Sequence, residues 1–319
     1  MKHLLLVWSV FVCFLTGLPS RCQSQETRTQ LPTGWWLTPA GTSIPLSADL
    51  PLNIALAPDG VHAAVTNNGN GTQTIDLIDI PKQRVVSSVT IGKSWLGLAF
   101  SKKHPWLFVS GGNDDWIIRY TLTGDTLLAH DTLILGKPWP AEKISPTGLT
   151  IDDKHDRLYV VTKEDDALYT FDLLTGKKIS RTPLSAEAYT CLLSPEGNEL
   201  YISAWGGRKI YIYDTRQQKL RDSVATEDHP NDLVLDRKGR YLFVANANSN
   251  SVSVIATATD TVLGAPIAVG GSPDAVGVFI GPAPPLPPPP APTLGTWGLF
   301  LSALLLGGVG YFVIRNRVA

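Results

Sequence analysis

The sequence predicts an all-β chain: a β-propeller of about six four-stranded blades, with a transmembrane helix at its C-terminal end. Three observations carry this. First, one pattern returns five times: IALAPDGVHAAV from Ile54, LAFSKKHPWLFV from Leu98, LTIDDKHDRLYV from Leu149, LLSPEGNELYIS from Leu192 and LVLDRKGRYLFV from Leu233. Second, its turn positions Gly60, His104, His155, Gly197 and Gly239 follow at 44, 51, 42 and 42 residues, the length that a four-stranded blade needs. Third, the apolar runs inside each copy are too short for helices and rich in Val, Ile, Leu, Tyr and Phe, so they read as strands. One four-stranded sheet cannot bury both faces alone, whereas copies packed radially can. A β-sandwich or a solenoid would not need so regular a period.

Taken in order, residues 1–24 read as a secretory signal: Lys2 and His3 precede the apolar run Leu4 to Leu15, and small residues follow. A membrane-spanning N-terminal helix is the alternative, against which the run is short. Residues 31–280 form the expected propeller. The segment Trp35 to Leu46 reads as a hairpin turning at Ala40-Gly41, and five complete repeats run from Leu52 to Val269. Inside them Pro-Asp-Gly, Pro-Glu-Gly and Lys-Gly supply hairpin turns. A lone strand, Ala275 to Phe279, stands where a sixth first strand belongs. Pairing it with the N-terminal hairpin gives a composite sixth blade that removes a free sheet edge. Seven blades or an open ring are the alternatives. Residues 281–296 are a Pro-rich, stiff spacer. Residues 297–314 carry no charge and are long enough to span a bilayer. The basic tail, 315–319, with Arg315 and Arg317, belongs in the cytoplasm, which leaves the propeller outside. The expected location is therefore the periplasm or cell surface, with the C-terminal helix as anchor at least before any processing.

Composition narrows the function. With 27 basic and 28 acidic residues, no polybasic surface points to nucleic acid. Of three cysteines, Cys13 and Cys22 fall in or beside the signal, and Cys191 sits in an apolar strand as a core residue. No disulfide framework, CxxC metal motif or haem motif is present, so no cofactor and no metal is expected. A P-loop, an HExxH motif and a nucleophile elbow are all missing, and no catalytic set can be assembled. Of the six histidines, only His229 suits a ligand or general base, with Asp232 as its expected partner. His104 and His155 fall in blade turns.

The repeats and several longer strings resemble known proteins. GWWLTPAGTSIPL, GKSWLGLAF, LGKPWP, SPTGL, YVVTKEDDALYTFDL, AYTCLLSPEGNELYISAWGG, HPNDLVL and FVANANSNSVSVI resemble the YVTN/YncE-like bacterial propellers over about Leu31 to Phe279. The likeness is greatest to the propeller half of proteins that join such a propeller to an alkaline-phosphatase-family phosphoesterase. Only 40 residues follow Phe279, so the resemblance implies the propeller without the phosphoesterase activity. Ala291-Pro292-Thr293-Leu294-Gly295-Thr296-Trp297-Gly298, an apolar run and terminal arginines resemble the IPTL-CTERM sorting signal, with Ala291 where isoleucine is usual. That resemblance implies an exosortase-like processing enzyme as a partner; an ordinary anchor is the alternative.

In a propeller, the loops leading into each blade and those after each second strand open on one face. Here the first set holds Lys93, Trp95, Lys137, Trp139, Glu187, Tyr189, His229, Asn231 and Asp232. The second holds Asn67, Asn68, Asn113, Asp114, Lys163, Glu164, Trp205, Asn246 and Asn248. Lysines, carboxylates, amides and aromatics around one mouth suit a polar ligand or partner. The same residue types also simply make turns and pack between blades. The expected function is a binding module for a cell-envelope protein or glycan. An enzyme of lactonase type, or an accessory subunit of a separate phosphoesterase, is the alternative.

Overall fold

The computed structural model describes residues 29–30, 36–37, 43–271 and 273. Five antiparallel sheets follow one another along the chain, each ordered inner to outer as the chain runs. Blade 1 comprises Pro51–Leu56, His62–Asn67, Thr74–Asp79 and Arg84–Thr90. Blade 2 comprises Leu98–Phe100, Trp106–Ser110, Trp116–Thr123 and Thr126–Ile134. Blade 3 comprises Pro146–Asp152, Arg157–Thr162, Ala167–Asp172 and Lys178–Pro183. Blade 4 comprises Ala188–Leu193, Glu199–Ala204, Lys209–Asp214 and Lys219–Ala225. Blade 5 comprises Pro230–Leu235, Tyr241–Asn246 and Ser251–Ala256. Its outer strand is broken into Thr261–Val262 and Ile267–Ala268, both paired to Ser251–Ala256. Pro266 falls in the gap, where it lacks the N–H a ladder needs.

The burial pattern explains the apolar runs. The second and third strands of blade 3 are buried along almost their whole length, and its fourth is largely exposed. That is what sheets sandwiched face to face require of their middle strands. First strands of successive blades lie beside one another from blade 1 to blade 5. Each junction has its own core: Ile75, Leu107 and Val109 between blades 1 and 2, Phe108, Leu158 and Phe171 between 2 and 3, Tyr159, Leu200 and Tyr213 between 3 and 4, and Tyr201, Leu242 and Ile255 between 4 and 5. Cys191 belongs to the third core as a buried free thiol.

The N-terminal hairpin differs from expectation. Trp36–Leu37 pairs with Thr29–Gln30, not with the TSIPL segment, and residues 43–50 form no strand. Pro45 cannot donate to a ladder. Instead Ile44 and Leu46 are half-buried beside Val65 and Ile78 on the free face of blade 1, and the Ser47 N–H donates to Asp76 Oδ2 at 2.7 Å. Ala275 to Phe279, and with it the composite sixth blade, lies outside the described residues, as do the expected signal and transmembrane segments. Among the described residues, helix is confined to the 3₁₀ turns Gly112–Asp114 and Ala247–Ser249, and no helix is long and apolar enough to cross a membrane.

Candidate functional site: one loop face of the propeller

The repeat uses one backbone device at the turn between second and third strands. Asp115, Asp166, Arg208 and Asn250 adopt φ of 58°, 46°, 51° and 53°. Their carbonyls accept the N–H groups of Leu135, Leu184, Thr226 and Val269. This ties each such turn to the chain leaving the outer strand, so the two loop sets meet on one face. Three blades are led in by a residue of positive φ followed by proline: Leu50-Pro51, Ser145-Pro146 and His229-Pro230. Non-glycine residues in this conformation are strained by about 1–2 kcal/mol. Its recurrence marks the device as architectural, with His229 exploiting it.

Three blades bring an aromatic and charged cluster together. The rings of Tyr189 and Trp205 stack with centroids 6.1 Å apart. His229 meets Trp205 edge-on at 4.4 Å. The Lys163 ammonium stands 5.0 Å from the Trp205 centroid, a cation–π distance. Glu187 packs beside Gly206, where an added Cβ would lie 3.5 Å from its side chain. His229 Nδ1 lies 3.0 Å from Asp228 Oδ1 and 2.8 Å from Asn248 Nδ2. The contact with His229 holds the Asp228 carboxyl below its usual range.

The sequence-predicted residues divide accordingly. Lys163, Glu187, Tyr189, Trp205 and His229 gather here. Glu164 is exposed next to Lys163, and Asn231 is buried below His229's turn. The Asp232 carboxylate accepts its neighbour Leu233's N–H at 2.8 Å; the carboxylate found against His229 Nδ1 is Asp228. Trp139 and Asn113 form a second cluster on blades 2 and 3. The Trp139 backbone N–H donates to the Asn113 backbone carbonyl at 3.0 Å, and Lys143 stands 5.1 Å from the Trp139 centroid. Lys137 is exposed, with its N–H bound to Glu142 Oε2 at 2.7 Å. Trp95 is half-buried next to Gly112, and Lys93 is exposed in the same loop. Sequence reasoning missed Asp228 and Lys143. Asp228 was legible as the residue immediately before His229, whereas the placement of Lys143 depends on how its loop folds back on Trp139.

Radially packed, four-stranded antiparallel sheets with both loop sets on one face define a β-propeller. The model of the seven-bladed lactonase propeller family matches residues 180–267, from the outer strand of blade 3 through blade 5, and so covers most of the Trp205 cluster. Antigen Lp49 of Leptospira interrogans is 33% identical over 79 residues, a stretch that takes in 20% of this chain and 17% of that protein's length. Two solved structures share the fold. A functionally unknown protein from Desulfotomaculum acetoxidans superposes with a TM-score of 0.57 at 15% identity, over 76% of this chain and 79% of its own. Hydrazine synthase of Kuenenia stuttgartiensis gives 0.56 at 17% identity, over 70% of this chain and 67% of its own.

Proposed function

We propose that this chain is an exported propeller, YncE-like in kind, held in the cell envelope by its C-terminal segment and binding an envelope protein or glycan through its loop face. The observation that carries this is the convergence of Lys163, Tyr189, Trp205 and His229 from three separate blades. Half-buried aromatic rings flanked by charge are the usual composition of binding hot spots, and stacked rings also suit the apolar face of a sugar. Export rests on the sequence of residues 1–24, and anchoring, with IPTL-CTERM-type processing, on residues 281–319.

Capture of partners from a cell-envelope extract tests the site. Trp205→Ala and Lys163→Ala should each weaken capture by about tenfold or more, the scale of a hot-spot loss, without changing the melting curve of Lys163→Ala. Equal capture by a folded Lys163→Ala and by His229→Ala would overturn the site. Protease added to spheroplasts should digest the propeller, and full protection would overturn the location.

The second reading is a lactonase-type enzyme, favoured by the family match over blades 4 and 5 and by the Asp228–His229 pair. A carboxylate against Nδ1 orients an imidazole so that Nε2 can act as a base. Lactone turnover by the purified chain that is abolished in His229→Ala would establish it. The accessory-subunit version instead requires co-purification with a separate phosphoesterase.

A further inference from the structure

At the opposite end of blades 3 and 4 from the loop face lies a cavity of about 150 Å³. Its lining is cationic and hydroxylic. Arg157 and His155 come from blade 3, at the turn between its first two strands. Arg216 comes from blade 4, at the turn between its last two. Tyr159, Thr170 and Tyr213 form the inner wall, and no carboxylate lines the cavity.

The cationic groups have capacity left over. Arg216 engages Asp214 only through its backbone N–H, at 2.9 Å, and its guanidinium has no ion-pair partner among the described residues. Arg157 makes one long contact with Asp172, 3.4 Å from Nη1, and one bond to the Asp156 carbonyl at 3.0 Å. His155 is held through Nδ1 by Asp152 at 2.7 Å, which leaves Nε2 as its other polar atom. Thr170 is 3% exposed, and its hydroxyl faces the Tyr213 phenol. Burial pushes the Tyr159 phenol well above its ordinary range, so it remains a neutral donor. Guanidinium groups from two blades beside hydroxyl donors form a cradle for a compact anion with several acceptor oxygens. The volume equals about five waters, which accommodates one tetrahedral oxyanion.

We propose that this inter-blade cavity binds a phosphate or sulfate group, as the free ion or as the head of a small ester.

The test is calorimetric titration of the full chain in non-ionic detergent with inorganic phosphate, inorganic sulfate and glycerol 3-phosphate, with acetate as control at constant ionic strength. Saturable binding of a tetrahedral oxyanion, at least about tenfold tighter than acetate, is expected. Tighter binding of glycerol 3-phosphate than of the inorganic ions assigns the ester, and the reverse assigns the free ion. Arg216→Ala should weaken binding about tenfold, and Thr170→Val several-fold. Arg216 is exposed, so its replacement leaves the fold intact and decides the matter if Thr170→Val fails to fold. No saturable binding by about 10 mM, acetate bound as tightly as phosphate, or an Arg216→Ala variant that binds like the wild type would overturn the proposal.

Discussion

His62 shows how one side chain can join two blades. It is buried, with Nδ1 2.7 Å from Asp59 Oδ2 in its own blade and Nε2 3.2 Å from Asp125 Oδ1 in blade 2. Lys82 completes the network, 2.7 Å from Asp79 and 3.0 Å from Asp125. His62, Asp79 and Asp125 present ligand atoms within 4.8 Å of one another, but the Lys82 ammonium already serves both carboxylates, so the cluster reads as a closed ion network. The hydrogen bond to Asp59 raises the His62 pKa above 6.5, against the effect of burial. For Asp59, burial acts upward, but the hydrogen bonds from His62 outweigh it and the pKa falls below 3.8. Lys82 and then His62 lower that of Asp125. A raised histidine pKa means that its stabilisation is full below the unfolded value and is lost as pH rises through the folded one. The aspartates' share is lost as pH falls below their ordinary range. His62→Gln should therefore cost about 1 kcal/mol at pH 6, a hydrogen bond to a charged group discounted for half-exposed aspartates, and markedly less at pH 8.5. Melting curves at the two pH values check this, and a deficit that stays constant or grows with pH contradicts it.

At the scale of the element, two glycines set how closely inner strands approach. A Cβ on Gly97 would lie 2.3 Å from the Thr147 carbonyl oxygen of the next blade, and one on Gly148 would lie 2.6 Å from the Thr190 Cα. Both obstacles are backbone, which cannot move aside without shifting a whole strand. Gly148→Ala should therefore destabilise by about 1–3 kcal/mol, the range for overpacking, and denaturant melts would show it. Wild-type stability would mean that the blades can slide apart at the axis. The irregular 51-residue interval is also an element-scale matter. Blade 2 carries the longest outer hairpin, Trp116–Thr123 with Thr126–Ile134, and a long loop into blade 3 that holds Trp139. His104, in the turn that opens this interval, stacks on Trp106 at 4.3 Å.

Over the whole molecule, four cores join five blades, so the outer faces of blades 1 and 5 have no blade against them among the described residues. Leu50, Ile54 and Leu56 are 59%, 54% and 63% exposed, whereas the equivalent strand of blade 3 is largely buried. The segment with Ile44 and Leu46 lies beside Val65 and Ile78 on that face. Leu46→Ser should lower stability by about 1 kcal/mol, the value of a half-buried leucine, detectable as a lower melting temperature. An unchanged melting curve would show that residues 43–48 contribute nothing to covering blade 1.

The sequence by itself determined the blade. The strand lengths, the turn residues at Gly60, Gly197 and Gly239, and the doubly apolar middle strands are local consequences of period and composition, and each could be read within about ten residues. The burial of Cys191 was legible for the same reason. Only the tertiary structure decided which loops meet. Tyr189, Trp205 and His229 are separated by whole strands, and their contact depends on the angle between blades set by core packing. The same packing places Trp139 against Asn113 and brings Arg157 and Arg216 to one cavity. Convergence of this kind depends on side-chain volumes in the four inter-blade cores, which leave no trace in the spacing of any motif.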